Sequence, residues 1–111
     1  MYKQGDIILF DYPTDDFSAS KKRPCIIVGK NRTLFGSYIV AKITSVLRSD
    51  EQSFNIDNAF LSLPLLKPSE VRCDNLLTVS EKVILKKITT LEKSQIIALC
   101  HKIKLNFDVL L

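Results

Sequence analysis

Arg72 and Asp74 stand two residues apart in the stretch "EVRCDN", which has the composition of a short strand. Successive side chains of a strand point to opposite faces, so these two project from the same side, roughly 7 Å apart along the chain. A carboxylate can act as a general base, and a guanidinium can bind phosphate oxygens. The same two residues could equally form a surface ion pair worth under about 1 kcal/mol. Their spacing alone is more typical of the ion pair.

Further polar residues flank the predicted strands and could contact an anion. "KKRP" places Lys21, Lys22 and Arg23 before a β-branched run, and Thr44 and Ser45 follow another. Lysines at the edge of a loop are usually only solvated, and a Thr-Ser pair after a strand is typical of a turn. Taken alone, each group is therefore more typical of a structural role than of a site.

Other kinds of site are disfavoured by the residues that the chain contains. The single histidine, His101, directly follows Cys100 in a predicted helix, where adjacent residues point about 100° apart. Cys25 and Cys73 are distant in sequence and form no C-x-x-C pair with the third cysteine. We therefore expect reduced thiols, no metal and no cofactor. With only three glycines, the chain also lacks a Gly-rich phosphate loop.

Length and composition predict a single globular domain spanning residues 1–111, with 46% hydrophobic and 25% charged residues. No apolar run approaches the roughly 20 residues that cross a bilayer, and the first residues lack a signal-peptide layout. We therefore expect a cytoplasmic protein without membrane contact. A net charge of +4 suits a polyanionic partner without establishing one.

Short apolar runs predict five to seven strands. "GDIILFDYP" reads as a buried strand, and "RPCIIVGK" as a second one that begins near Arg23, with Pro24 at its start. "YIVAKITS" predicts a third strand, and "FNID" a short edge strand. "EVRCDN", "LLTV" and "KVILKKI" follow. The polar stretch "TDDFSASKK" has no periodicity and predicts a loop.

The end of the chain predicts an amphipathic helix over residues 92–105. Thr89 and Glu92 have the spacing of a capping box, in which each side chain bonds a free backbone N–H. Apolar residues then recur at helical spacing, at Ile96, Leu99 and Ile103. Short strands followed by one helix favour a mainly β fold, a small antiparallel barrel or half-barrel.

The order of these features resembles the PemK/MazF family of toxin–antitoxin ribonucleases. "GDI", a polar loop, "RPCIIV", "KITS", "LLKPSEVRCDNLLTV" and "ITTLEKSQI" occur in the family's order, over nearly the whole chain. "VRCD" is most similar to the Kid/PemK branch. The resemblance implies an SH3-like barrel of the CcdB/PemK/MazF type that cleaves single-stranded RNA sequence-specifically and without metal. It also implies a homodimer, a cognate antitoxin, and contact with DNA only through the antitoxin complex.

The resemblance assigns roles to five residues. Asp74 would withdraw the 2′-OH proton, and Arg72 would support the phosphorane or the leaving 5′-oxygen. Arg23 would clamp the phosphate, while Thr44 and Ser45 would position it through their hydroxyls. The products implied are a 2′,3′-cyclic phosphate and a 5′-OH end.

The sequence departs from the Kid/PemK pattern in the loop after the first strand. Kid-like members use a histidine there, whereas "PTDDFSASKK" has none. Ser20, Lys21 and Lys22 could bind phosphate in its place, but none of them transfers protons readily near pH 7. The apolar stretch "AFLSLPLL" (residues 59–66) could belong to the dimer interface or to the core.

Two other functions remain open at this stage. A non-catalytic, CcdB-like relative would act on a protein target and would not need Arg23, Arg72 and Asp74 together. An SH3-like module that binds an extended peptide would need an aromatic groove. The chain has no Trp and only 8% aromatic residues, which disfavours the second alternative.

Overall fold

The described residues, 1–13 and 20–110 of a computed structural model, form six strands, one α-helix and three short 3-10 helices. The strands are β1 (Asp6–Pro13), β2 (Ser20–Ile27), β3 (Ser37–Thr44), β4 (Ser53–Asn55), β5 (Glu70–Ser80) and β6 (Ile84–Thr90). The helix α1 is Lys93–Lys104, and the 3-10 helices are Asn58–Phe60, Glu81–Val83 and Leu105–Phe107. Most of the predicted loop "TDDFSASKK" lies outside the described residues, as does the side chain of Ser20.

The strands form one antiparallel sheet in the order β4-β5-β3-β2-β1-β6. The predictions of a mainly β fold with a C-terminal helix and of a short edge strand at "FNID" are confirmed. Among the described strands the sheet is open and does not close into a barrel, because β4 and β6 end it as unpaired edges. No helix in the described part of the chain is long and apolar enough to cross a membrane.

Apolar side chains are buried on both faces of the sheet, which explains why the β1 sequence is apolar without alternation. One cluster, which includes residues of the helix, comprises Ile7, Ile26, Ala41, Ile43, Val71, Cys73, Leu91, Leu99 and Ile103. The other comprises Ile8, Phe10, Cys25, Ile27, Tyr38, Val40 and Val79. Consecutive residues such as Ile7 and Ile8 belong to different clusters, as the two-residue period of a strand requires.

Several predicted strand boundaries are wrong. The strand predicted at "KVILKKI" begins only at Ile84, because residues 82–83 belong to a 3-10 helix. The strand predicted at "FNID" ends at Asn55. β2 begins at Ser20, so Pro24 lies inside the strand and pairs with Leu9 of β1. The β2–β3 pairing extends only as far as Cys25, opposite Lys42. A proline is tolerated at position 24 because no backbone N–H is needed there for a hydrogen bond to β3. "EVRCDN" and "LLTV" are not separate segments but one strand of 11 residues, β5.

The predicted helix is confirmed, but its capping box is wrong. Glu92 is the N-cap residue and makes no side-chain cap bond. Thr89 is buried in β6, where its hydroxyl accepts the backbone N–H of Leu63 at 2.8 Å. The Thr-x-x-Glu spacing fails as a cap because Thr89 is still extended strand and its hydroxyl is used to hold the 60s segment.

The apolar face of the helix predicts an asymmetry in stability. Leu99 is fully buried, and Leu99→Ala should lower the free energy of unfolding by about 3 kcal/mol, since it removes buried surface and leaves a cavity. Ile97, on the same helix, is 62% exposed, so Ile97→Ala should change it by no more than about 0.5 kcal/mol. Urea unfolding at pH 7 measures both. Equal losses would contradict the packing of α1 described above.

Candidate functional site

A pocket of about 710 Å³ opens on the sheet and gathers most of the predicted site residues. Its walls are residues 22–24 of β2, residues 42–46 at the end of β3, the 64–67 segment, and part of β5. Predicted site residues that line it are Lys22, Arg23, Thr44, Ser45, Arg72 and Asp74. Lys21 is exposed and does not line the pocket.

The pocket lies where two strand pairings are interrupted. The β2–β3 pairing ends at Cys25 opposite Lys42, next to Pro24. The β3–β5 pairing jumps from Ala41–Leu76 to Ile43–Val71, so residues 72–75 of β5 have no partner on β3. Irregularities of this kind disrupt the ladder locally and redirect side chains. Both interruptions meet at Lys42, and the side chains around it line one cavity.

The pocket is strongly basic. Within residues 1–13 and 20–110, one acidic residue, Asp74, and six basic residues line it; the basic residues are Lys22, Arg23, Lys42, Arg48, Lys67 and Arg72. The sequence analysis missed Lys42, Arg48 and Lys67. Lys42 could have been found, because it lies two residues before Thr44 on the same strand and so on the same face. An excess of cations around a concave surface favours a phosphate-rich ligand.

Arg23 carries an unsatisfied donor at this site. Its Nε atom is buried and has no hydrogen-bond partner among the described residues. Leaving a buried donor of a charged group unpaired is unfavourable by more than about 1 kcal/mol. Because Arg23 lines the pocket, an anion bound there could accept this hydrogen.

Thr44 forms a turn at the end of β3. Its Oγ1 accepts a hydrogen bond from the backbone N–H of Val46 at 3.1 Å. This is the structural role in a turn that the sequence analysis gave as the alternative to a site. A hydroxyl that accepts one hydrogen bond can still donate its own hydrogen. Thr44 can therefore shape the turn and contact a ligand in the pocket.

Arg72 and Asp74 do face the same side, but they are not an isolated pair. Arg72 approaches Asp74 at 3.4 Å through both Nε and Nη2. Its Nη1 donates to Glu70 at 2.8 Å, to Asp50 at 2.9 Å and to Ser53 at 3.0 Å. Its Nη2 also contacts the second Asp50 oxygen at 3.2 Å. One guanidinium, only 13% exposed, is thus surrounded by three carboxylates.

Glu70 is the buried carboxylate of this cluster, with no exposed side-chain surface. Its Oε2 accepts hydrogen bonds from Ser53 at 2.6 Å and from Arg72. Its Oε1 accepts the backbone N–H groups of Arg48 at 2.8 Å and Ser49 at 3.3 Å. Burial opposes ionisation, but these hydrogen bonds outweigh it and lower the pKa of Glu70 to about 2. The pair with Arg72 is therefore ionic.

Asp50 is the exposed counterpart of Glu70. Its side chain is 49% exposed, and the hydrogen bond from Arg72 lowers its pKa. Arg72 thus has one fixed, buried carboxylate partner and one partner in contact with water.

Sequence reasoning missed Glu70, Asp50 and Ser53. Glu70, Arg72 and Asp74 alternate along one strand, so the argument that paired the last two also places Glu70 on their face. No comparable signal exists for Asp50 and Ser53, which reach Arg72 because β4 pairs with β5 and sets Ser53 opposite Arg72.

The cysteines and the histidine form no metal site within the described residues. Cys25 and Cys73 are buried free thiols, and Cys100 is a half-buried one. Across residues 1–13 and 20–110, no three His, Cys, Asp or Glu side chains are grouped so that they could hold a metal ion.

The open sheet, its C-terminal helix and the basic pocket define a small, mainly β protein with a concave basic surface. The family model for PemK-like, MazF-like toxins of type II toxin–antitoxin systems matches residues 3–107. The chain belongs to this family. No curated protein sequence matched it.

Solved structures show the same fold. An endoribonuclease in complex with its cognate antitoxin from a mycobacterial species has a TM-score of 0.79 at 13% identity, over 100% of this chain and 99% of that one. MazE-MazF from Deinococcus radiodurans has a TM-score of 0.76 at 8% identity, over 96% of this chain and 95% of that one. Mycobacterium tuberculosis toxin MazF-mt6 has a TM-score of 0.69 at 27% identity, over 94% of this chain and 99% of that one. The predicted fold class is confirmed as MazF-like, with an open sheet.

The lowered pKa of Glu70 predicts how stability depends on pH. Its folded pKa, about 2, lies below the ordinary value of 4.5, so ionised Glu70 stabilises the fold fully above pH 4.5. This contribution is lost as the pH falls from about 4.5 towards 2. Glu70→Gln should lower the free energy of unfolding by about 2 kcal/mol at pH 7. Urea unfolding should show the wild type and the variant converging between pH 4.5 and 3.

A difference between the two proteins that stays constant from pH 7 to pH 3 would contradict the ionic pair. The two proteins differ only at position 70 and share every other titrating group, so the change in their stability difference with pH reports on Glu70.

Proposed function

We propose that this toxin is a metal-independent endoribonuclease that cleaves single-stranded RNA. The 2′-OH loses its proton to a base and its oxygen attacks the adjacent phosphate, which breaks the P–O5′ bond. The leaving 5′-oxygen takes a proton from water, so the products are a 2′,3′-cyclic phosphate and a 5′-OH end. The observation that carries the proposal is the convergence of Arg23, Thr44, Ser45, Arg72 and Asp74 on one basic pocket. These residues come from three strands and from the turn after β3, and no single segment would assemble them.

RNA supplies its own nucleophile, so the protein needs a base and groups that stabilise negative charge. Among the described residues, Asp74 is the only acidic side chain that lines the pocket. Its side chain is 48% exposed, so it is accessible to a 2′-OH. We assign it the role of general base. Arg23, with its unpaired Nε, is assigned the phosphate, because guanidinium donors match phosphate oxygens.

Arg72 can reach the phosphate only by exchanging a partner. Its donors contact Glu70, Asp50 and Asp74 in the unliganded protein. A phosphate would replace an exposed partner, Asp50 or Asp74, since each of these is about half exposed and Glu70 is fully buried. Asp74 lines the pocket and holds Arg72 by the longer contacts, at 3.4 Å. Arg72 then supports the phosphorane or the leaving oxygen by electrostatic stabilisation.

The remaining polar groups bind and orient the RNA backbone. Thr44 and Ser45 offer hydroxyls at the end of β3, and Lys22 and Lys67 add positive charge on opposite walls. Lys21 is exposed next to Lys22 and can attract the RNA phosphates that lie outside the pocket. Ser20, at the start of β2, completes the set that we propose for substrate binding.

A gel assay tests the activity, with purified protein, mixed-sequence single-stranded RNA and EDTA present. The wild type should cleave the RNA and leave cyclic-phosphate ends. Asp74→Asn, Arg72→Ala and Arg23→Ala should each lower the rate by about 100-fold, because one base or one preorganised donor is removed. Arg32→Ala is the matched control, since Arg32 pairs with Glu81 and does not line the pocket.

Loss of cleavage on chelation, or full activity of the Asp74→Asn variant, would contradict this mechanism. Intact RNA with every sequence tried would favour the second candidate, a non-catalytic, CcdB-like toxin that acts on a protein target. The neutralisation of Arg72 by three carboxylates is the observation that favours that alternative.

We infer that the toxin forms a homodimer and binds a cognate antitoxin, and that it reaches DNA only within that complex. Two of the structural neighbours support a protein partner: one is an endoribonuclease in complex with its cognate antitoxin, and the other is MazE-MazF. Leu63 and Leu66 are exposed apolar side chains in the 59–66 segment and are available for an interface. The basic pocket suits an acidic antitoxin segment that folds as it binds.

Light scattering should give the protein alone a mass of two chains, and the product of the adjacent gene should form a stable complex with it. That complex should cleave RNA at least tenfold more slowly, because antitoxin and RNA compete for the same cations. A monomer at micromolar concentration, or a complex that cleaves at the full rate, would contradict this arrangement.

A further inference from the structure

Glu70 connects two parts of the pocket that are otherwise far apart in sequence. One carboxylate oxygen accepts the backbone N–H groups of Arg48 and Ser49, in the loop that follows β3. The other accepts Arg72 Nη1 on β5 and the hydroxyl of Ser53 on β4. The Glu70 carboxylate therefore joins the 45–50 loop to the guanidinium of Arg72.

The geometry requires a carboxylate at this position. Four donors converge on the two oxygens of Glu70, and an ionised carboxylate is an acceptor at both of them. An amide of the same shape has one oxygen and one NH₂ group, so it can accept on one side only. In a Glu70→Gln variant, either the loop amides or Arg72 would face a donor. Because the side chain is fully buried, water cannot replace the lost hydrogen-bond acceptor.

The loop that Glu70 holds is strained and lines the pocket. Ser49 has a φ of 51°, a left-handed conformation that non-glycine residues adopt at some energetic cost. Its N–H is one of the donors to Glu70, as is that of Arg48, whose side chain lines the pocket. The loop conformation therefore depends on the same carboxylate as the orientation of Arg72.

We propose that Glu70 is a positioning residue that locks Arg72 and the 45–50 loop in the arrangement required for RNA cleavage. The proposal rests on the proposed ribonuclease function for its catalytic consequence. Glu70 itself contacts no substrate, because it is buried behind Arg72. When phosphate displaces an exposed carboxylate, Asp50 or Asp74, from Arg72, the bond to Glu70 keeps the guanidinium in place.

The first test reads Arg72 directly and needs no RNA. NMR at low temperature measures the exchange with water of the Arg72 Nη1–H protons, the group that donates to Glu70, with the signals assigned by their loss in Arg72→Lys. Glu70→Gln should accelerate this exchange at least fivefold, because the guanidinium loses its buried partner. Glu81→Gln is the matched control, since it breaks a second Glu–Arg pair, Arg32–Glu81, away from the pocket, and the Arg72 exchange should stay unchanged.

The second test asks whether Glu70 acts on cleavage through Arg72. With Glu70→Gln, kcat for RNA should fall about 30-fold at pH 7, at a temperature where circular dichroism shows the variant folded. In Arg72→Lys the further substitution Glu70→Gln should lower kcat less than threefold, because residues that act as a unit are not additive. A merely structural loss would multiply the two effects. Glu81→Gln should leave kcat within twofold.

A milder variant covers the case in which Glu70→Gln does not fold. Ser53→Ala removes one hydrogen bond to Glu70 and one acceptor for Arg72, and should shift exchange and kcat in the same direction by smaller factors. Unchanged Arg72 exchange in the folded variants overturns the positioning role, whatever happens to cleavage. Accelerated exchange with a wild type that cleaves no RNA overturns the ribonuclease function, while the structural role of Glu70 stands. Multiplicative losses of kcat overturn the catalytic coupling.

Discussion

The ion pair between Arg72 and the buried Glu70 is the interaction on which the rest of the site depends. A carboxylate with no exposed surface stays ionised only because a guanidinium, a hydroxyl and two backbone amides donate to it. These donors come from three parts of the structure: β5, β4 and the loop after β3. Removing the charge would therefore disturb the loop after β3 and the orientation of Arg72 together.

The pocket exists because the sheet is interrupted, and this connects fold to chemistry. Pro24 stands where the β2–β3 pairing stops, and the register jump between Ala41 and Ile43 leaves residues 72–75 of β5 without partners on β3. A regular ladder would pair those residues. The interruptions instead leave space for a ligand, lined by cations that repel one another unless an anion binds. A site of this kind suits a polyanionic ligand such as the RNA of the proposed function.

Much of the site was predictable because strands alternate with a period of two. That rule placed Arg72 with Asp74, and it also applies to Glu70 and Lys42, which the sequence analysis overlooked. The resemblance added Arg23, Thr44 and Ser45, which line the same pocket. The capping box at Thr89 was wrong because a local pattern was overridden by a tertiary contact, the hydrogen bond from the Leu63 amide.

The sequence by itself determined the elements, the helix face and the family, because hydrophobic periodicity and the order of short motifs are local properties of the chain. It also determined that the protein is basic. Only the tertiary structure decided that Asp50, Ser53 and Glu70 surround Arg72, because that depends on β4 pairing with β5 at one register. Whether a charged side chain is an exposed ion pair or the centre of a buried cluster is set by neighbours distant in sequence, and no local spacing encodes them.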